Sequence, residues 1–170
     1  MLKRFLALLL LLTLLPIVSI AETEDPSKLP EFTFHDQYGR EWTLADFEGK
    51  VVFLNFWTTW CPWCIREMPD IEALFHELGE NEGDVLILGI DTPETVDTAD
   101  EAGIAAFLAE NGFTYPTLMD PEDQLGTYLG IQVFPTTFII KPDGTILGSV
   151  LGAVDIETMR EVIEQGRTEE

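Results

Sequence analysis

The sequence predicts an α/β fold, a mixed central sheet with helices on both faces, and three observations carry that prediction. Short, nearly unbroken apolar runs stand at 51–57, 85–90 and 136–140, the pattern of strands buried on both sides. A stretch of helical periodicity separates the first two runs. After the third, a Pro142-Asp143-Gly144 turn leads into another strand and a closing helix. With 170 residues and an apolar fraction of 46%, the chain has the size and composition of one domain with an ordinary core.

In chain order, Lys3 and Arg4 precede an uncharged apolar run, Phe5 to Ile20, that ends in Ser19-Ile20-Ala21. That is the layout of a secretory signal cut after Ala21, with an uncleaved N-terminal membrane anchor as the alternative. Either leaves the rest of the chain outside the cytoplasm, periplasmic or on the cell surface, touching the membrane only through this segment if it is retained. Residues 22–30 are polar and interrupted by Pro26 and Pro30, and are expected to be a flexible lead-in to a domain spanning 31–170.

The domain opens with Phe32-Thr33-Phe34 and Glu41 to Leu44, which alternate around a Gly39 turn and predict a hairpin at the sheet edge. The 51–57 run follows. Ile65, Met68, Ile71, Leu74, Phe75 and Leu78 then recur at three- and four-residue steps, one buried face of a helix that stops near Gly79 and carries an internal Pro69 expected to kink it. Val85 to Ile90 predicts the second buried strand, Glu101 to Glu110 a helix, and Asp120 to Leu129 a third, shorter one. Thr136 to Ile140 and Thr145 to Leu151 complete the strands, and Ile156 to Gln165 predicts the last helix.

The formal charge is −22, and removal of residues 1–21 takes away Lys3 and Arg4 and no acidic residue, which makes it −24. Phosphate backbones are bound by Lys and Arg, so nucleic acid is excluded as a partner. Exported proteins use paired cysteines as staples, yet the two here, Cys61 and Cys64, stand three positions apart. A bridge closing so short a loop constrains little of the unfolded chain, which leaves chemistry as their purpose.

Cys61 falls where a buried strand gives way to a helix, with Pro62 at the first helical position. Unpaired amides and the positive end of the helix dipole stabilise a thiolate there, so Cys61 is the expected nucleophile. Cys64 lies one turn on, near enough to resolve a mixed disulfide formed at Cys61. A half zinc site is the competing reading of the pair, but His35 and His76 are the only soft donors left and neither belongs to a second paired motif. Trp57 reads as core. Trp60 and Trp63 crowd the cysteines and are candidates for an apolar rim that receives extended polypeptide. Glu67, three residues past Cys64, reads either as a dipole-favoured acid in the early turns or as a group that exchanges protons with the cysteines.

The run Asn55-Phe56-Trp57-Thr58-Thr59-Trp60-Cys61-Pro62-Trp63-Cys64-Ile65-Arg66-Glu67-Met68-Pro69 resembles the signature of TlpA/ResA-type exported members of the thioredoxin superfamily. Phe134-Pro135-Thr136-Thr137-Phe138 and Asp143-Gly144 extend the resemblance, which covers roughly Glu31 to Gln165. It implies a thioredoxin-like three-layer fold with an N-terminal β-hairpin and a helix-strand insertion within Asp100 to Leu129. It further implies a cis peptide at Pro135, a residue otherwise read as a strand-entry proline, and a Phe134 backbone available to an extended substrate. Asn55 stands where ordinary thioredoxins hold a buried acid, so the resemblance points to Glu67 for that chemistry. Trp63 departs from the proline usual at its position, and residues between the cysteines tune redox potential.

The implied function is an exported thiol-disulfide oxidoreductase that needs no cofactor or metal. It is expected to reduce disulfides of exported proteins, by analogy the cysteines of apocytochrome c during cytochrome c maturation, and to be reset by an upstream partner such as a membrane dithiol donor. Two other classes fit the sequence less well. A peroxiredoxin-like peroxidase needs Pro-x-x-x-Thr-x-x-Cys, and Leu54 stands where its proline belongs. A copper or zinc carrier of similar fold usually adds a histidine near the cis-proline, where this sequence has none.

Overall fold

The structure, a computed structural model, describes residues 25–168. The signal or anchor expected over 1–21 lies outside the described residues. Among the described residues no helix is long and apolar enough to cross a membrane.

Seven strands form one mixed sheet in the order β2-β1-β5-β4-β3-β6-β7. The strands are β1 (Thr33–Asp36), β2 (Glu41–Thr43), β3 (Val51–Phe56), β4 (Val85–Asp91), β5 (Thr117–Met119), β6 (Thr136–Ile140) and β7 (Ile146–Leu151). The helices are α1 (Pro62–Glu77), α2 (Glu101–Asn111), α3 (Gln124–Leu129) and α4 (Ile156–Arg167). β3, β4 and β5 run parallel, β6 and β7 return antiparallel beside β3, and the β1–β2 hairpin joins antiparallel to β5. The chain therefore has the α/β, thioredoxin-like architecture expected of it.

Strand alternation divides the core in two. Val51, Phe53 and Trp57 of the β3 segment and Val85 and Ile87 of β4 pack under α1, α2 and α4 with Met68, Ile71, Ile104, Leu108, Met159 and Ile163. Val52, Leu54, Phe56, Leu86, Leu88 and Ile90 face the other way, toward α3, the hairpin and Phe47. Asn55, Gly89 and Asp91 fall on the α1 side of this alternation, which is how polar groups reach the region behind the cysteines.

Several local details differ from expectation. Leu44 belongs to a 3-10 turn (Leu44–Phe47) rather than to β2, because the Asp46 carboxylate takes the Thr43 amide at 2.8 Å and turns the chain. The third helix starts at Gln124, since the Asp120 side chain accepts from Gln124 N and Leu125 N, each at 2.8 Å, and holds 120–123 outside it. β5 has no counterpart in the strands read from residue pattern and corresponds to the strand of the insertion. Pro69 sits inside α1, which continues through it to Glu77. The second half of the 22–30 lead-in is docked: Lys28 bridges Thr145, Ser27 O accepts from Ile146 N at 2.7 Å, and Leu29 enters the core.

Candidate active site

β3 ends at Phe56, and Trp57 N donates to Ile90 O at 3.1 Å, so the chain leaves the sheet still tied to β4. A turn closed by Cys61 N to Thr58 O, 3.2 Å, delivers Cys61 as the N-cap of α1, with Pro62 in the first turn. Cys61 and Cys64 are joined as a disulfide with Cα atoms 5.3 Å apart. Cys64 N donates to Cys61 Sγ at 3.2 Å, one of the amides a helix leaves free at its start. Cys64 is wholly buried, while Cys61 keeps 3% of its surface.

Glu67 lies one turn beyond Cys64 on the buried face of α1 and is 2% exposed. Asn55 Nδ2 donates to its Oε1 at 2.8 Å and Val154 N to its Oε2 at 3.1 Å. Asn55 Nδ2 also reaches Thr137 Oγ1 at 2.9 Å, tying β3, β6, α1 and the entry to α4 at one point. Burial pushes the Glu67 carboxyl up to about 7 against the two donated bonds, with Asp70 adding to the rise. Although buried, Glu67 lines a cavity of about 260 Å³ with Trp63, Arg66, Asp70, Val154 and Asp155.

Trp60 and Trp63 flank the disulfide, 52% and 58% exposed. The Phe134–Pro135 peptide is cis, and the Phe134 ring meets Trp60 edge-on, centroids 6.1 Å apart. Pro135 O accepts from Gly152 N at 2.8 Å, which places exposed Leu151 beside the same loop. Val133 adds another exposed apolar side chain. The Arg66 guanidinium lies over the Trp63 ring, 5.3 Å from its centroid. Cys61, Cys64, Glu67, Trp60, Trp63, Phe134 and Pro135 thus collect at one end of the sheet.

His35 pairs with Glu101 and His76 with Glu72 and Glu80. His76 sits near the far end of α1, about 22 Å of helix from Cys61. Among the described residues no three His, Cys, Asp or Glu side chains gather as a metal site.

Residue pattern did not single out Asp91 and Asp97. Asp97, 2% exposed, accepts from Thr59 Oγ1 at 2.7 Å, from Ala99 N at 3.0 Å and from Thr59 N. Asp91 closes β4 and is 1% exposed. A charged residue ending an otherwise apolar strand is the signal that could have found it.

A sequence model of the AhpC/TSA family matches residues 26–148. The thiol-disulfide oxidoreductase ResA of Geobacillus thermodenitrificans is 33% identical over 138 residues, which cover 81% of this chain and 75% of that protein. Among solved structures, the exposed lipoprotein thioredoxin of Streptococcus pneumoniae superimposes with a TM-score of 0.69 at 25% identity, covering 80% of this chain and 99% of that one. StoA of Bacillus subtilis does so with a TM-score of 0.69 at 22% identity, covering 80% and 98%, a likeness of fold alone.

Proposed function

Because the chain belongs to the AhpC/TSA family and is a thiol-disulfide oxidoreductase of thioredoxin fold, we propose that it reduces disulfides of exported proteins, with Cys61 attacking and Cys64 resolving. The observation that carries this reading is the difference between the two sulfurs: Cys61 caps α1 under an apolar rim, and Cys64 is sealed behind it.

The cycle balances without a cofactor. The Cys61 thiolate attacks one sulfur of the substrate disulfide, the substrate S–S bond breaks, and the departing thiolate takes up a proton. Cys64, deprotonated, attacks the Cys61 sulfur and releases the second substrate thiol, which leaves the pair oxidised. Glu67 is the group we assign to the Cys64 proton: a carboxyl near 7 accepts and returns a proton at neutral pH, and its cavity connects it to water. An upstream dithiol then reduces the pair. Trp60, Trp63 and Phe134 supply an apolar landing strip for extended polypeptide, with the Phe134–Pro135 backbone beside it.

An extracytoplasmic setting, periplasmic or at the cell surface, is supported by the apolar N-terminal run and by the exposed lipoprotein among the structural neighbours. A membrane dithiol donor suits that setting as the upstream partner. The cysteines of apocytochrome c are the leading substrate by analogy. The peroxidase reading is disfavoured by Leu54, which fills the position of the required proline and is fully buried in β3.

A redox titration of the Cys61–Cys64 pair tests the direction. A potential near −270 mV supports a reductase, and one near −120 mV overturns it in favour of an oxidase. Trapping with Cys64→Ser tests the roles, since the mixed disulfide must then accumulate on Cys61.

A further inference from the structure

Asp97 and Asp91 lie behind the turn that carries the attacking cysteine, and the cycle above uses neither. The Asp97 carboxylate holds Thr59 twice, by its amide and by its hydroxyl at 2.7 Å. Trp60 Nε1 donates to Val96 O at 3.3 Å, so the 92–97 loop grips the 58–60 turn at consecutive residues. That loop is itself closed by Val96 N and Asp97 N to Thr92 O, at 3.1 and 2.9 Å. The next residue after the gripped turn is Cys61.

Asp91 stands on the α1 side of β4, and among the described residues neither of its buried carboxyl oxygens meets a donor in good hydrogen-bonding geometry, the adjacent Thr92 amide acting on it only weakly. The Asp97 carboxylate lies near enough for its charge to act on Asp91. Two ionised carboxylates cannot bond to each other, but one proton turns one of them into a donor. We propose that Asp97, backed by a protonated Asp91, is a positioning residue for thiol-disulfide exchange: the pair clamps the Thr58–Trp60 turn and thereby fixes where Cys61 Sγ meets the incoming disulfide. The proposal rests on Cys61 as the attacking thiol.

The surroundings favour that proton distribution. Burial and the Asp97 charge push Asp91 up to about 9, whereas Asp97, raised by burial, is drawn below its ordinary value by Thr59 and Ala99. Trp57, whose amide donates to Ile90 O at 3.1 Å, approaches from the end of β3 and carries no charge. Asp120 gives its backbone amide to Asp91 O at 2.9 Å while its carboxyl is turned to Gln124 and Leu125. Tyr115, entirely buried, carries a hydroxyl that senses Asp91 together with Glu67 and Glu72 of α1.

The test uses the full chain, wild type and with Asp97→Asn, Asp91→Leu and Asp91→Asn, reduced and mixed with a small aromatic disulfide and with oxidised insulin across neutral pH. Asp97→Asn replaces one of the two oxygens that separately hold the Thr59 amide and hydroxyl with a nitrogen that cannot accept, and the exchange rate is expected to fall roughly ten- to hundredfold with both disulfides, because misplacing a reacting atom by even 1 Å has that effect. Asp91→Leu falls similarly, and Asp91→Asn, which keeps a donor toward Asp97, recovers most of the loss. Independently of any variant's folding, infrared titration of wild-type protein is expected to show a protonated-carboxyl band that persists well above the Glu67 titration near 7; in folded Asp91→Asn that persistent band disappears. Wild-type rates in folded Asp97→Asn, or a wild-type spectrum without that band above neutrality, overturn the clamp. Failure of Cys64→Ser to trap substrate on Cys61 overturns the assignment of the thiols instead.

Discussion

Asn55 Nδ2 and Glu67 Oε1 lie 2.8 Å apart, and this bond between β3 and α1 opposes the burial that raises the carboxyl beside the cysteines. An amide in place of a second acid leaves Glu67 as the one titrating group at this junction, held near 7 rather than driven higher. Glu67→Gln is therefore expected to remove a limb near pH 7 from the exchange-rate profile and to change the thiol titration. If rates and thiol titrations match wild type, Glu67 has no place in the mechanism. Stability gives a second readout. The folded state favours protonated Glu67, so its contribution is full below pH 4.5 and is lost as pH rises through about 7. The Gln variant lacks that loss, and its advantage in denaturant unfolding should grow with pH to about 3 kcal/mol above neutrality.

Asn55→Ala removes the donated bond that does most to hold Glu67 down. The Glu67 limb of the pH-rate profile is expected to move alkaline of its wild-type position, and the fold to lose about 1–3 kcal/mol for the unsatisfied buried groups left on Glu67 and Thr137. A limb that stays in place or moves toward acid contradicts this account of what sets Glu67.

What could be read in advance depended on the range of the interactions. β3 and α1 are legible because Val51 to Phe56 is buried at every position and the apolar steps of α1 follow the helical period. β5 is three residues long and exists because β4 and β1 clasp it from either side, a long-range fact that leaves no period in its own residues. Leu29 is likewise buried by partners distant in sequence, which local polarity and two prolines conceal. At the site, Cys61 and Cys64 declare themselves by spacing, and Glu67 and Pro135 by resemblance. Asp97 is invisible to both, since its meaning lies in a contact with Thr59, 38 residues earlier.

Trp63→Pro tests the residue between the cysteines. The position lies in the first turn of α1, where proline is tolerated, and the side chain is mostly exposed. Losing the stacking of Arg66 on the indole costs about 0.5–1 kcal/mol, so thermal stability should change little. The potential should change more. Removing an apolar cover beside Cys61 favours its thiolate and hence the reduced form, which raises the potential by on the order of 30 mV. An unchanged or lower value in the redox titration would mean that residue 63 does not tune the pair in this way.

Gly89 and Gly148 form a contrast between the buried centre of the sheet and its edge. A Cβ on Gly89 would stand 2.6 Å from Thr117 Oγ1, 2.9 Å from Trp57 Nε1 and 3.2 Å from Tyr115 Cε2. β4 is held between β3 and β5 and cannot slide away, so these side chains must move instead. Gly89→Ala is expected to lose about 1–3 kcal/mol in denaturant unfolding. Because Trp57 leads directly into the turn that carries Cys61, the exchange rate should fall with it. Gly148 on the edge strand β7 has nothing within 4 Å of a built Cβ and no positive φ. Gly148→Ala should leave the rate at its wild-type value and stabilise the fold by about 0.5–1 kcal/mol through the lower entropy of the unfolded chain. Equal stability changes at the two positions would mean that close packing around Trp57 is not what requires glycine in β4.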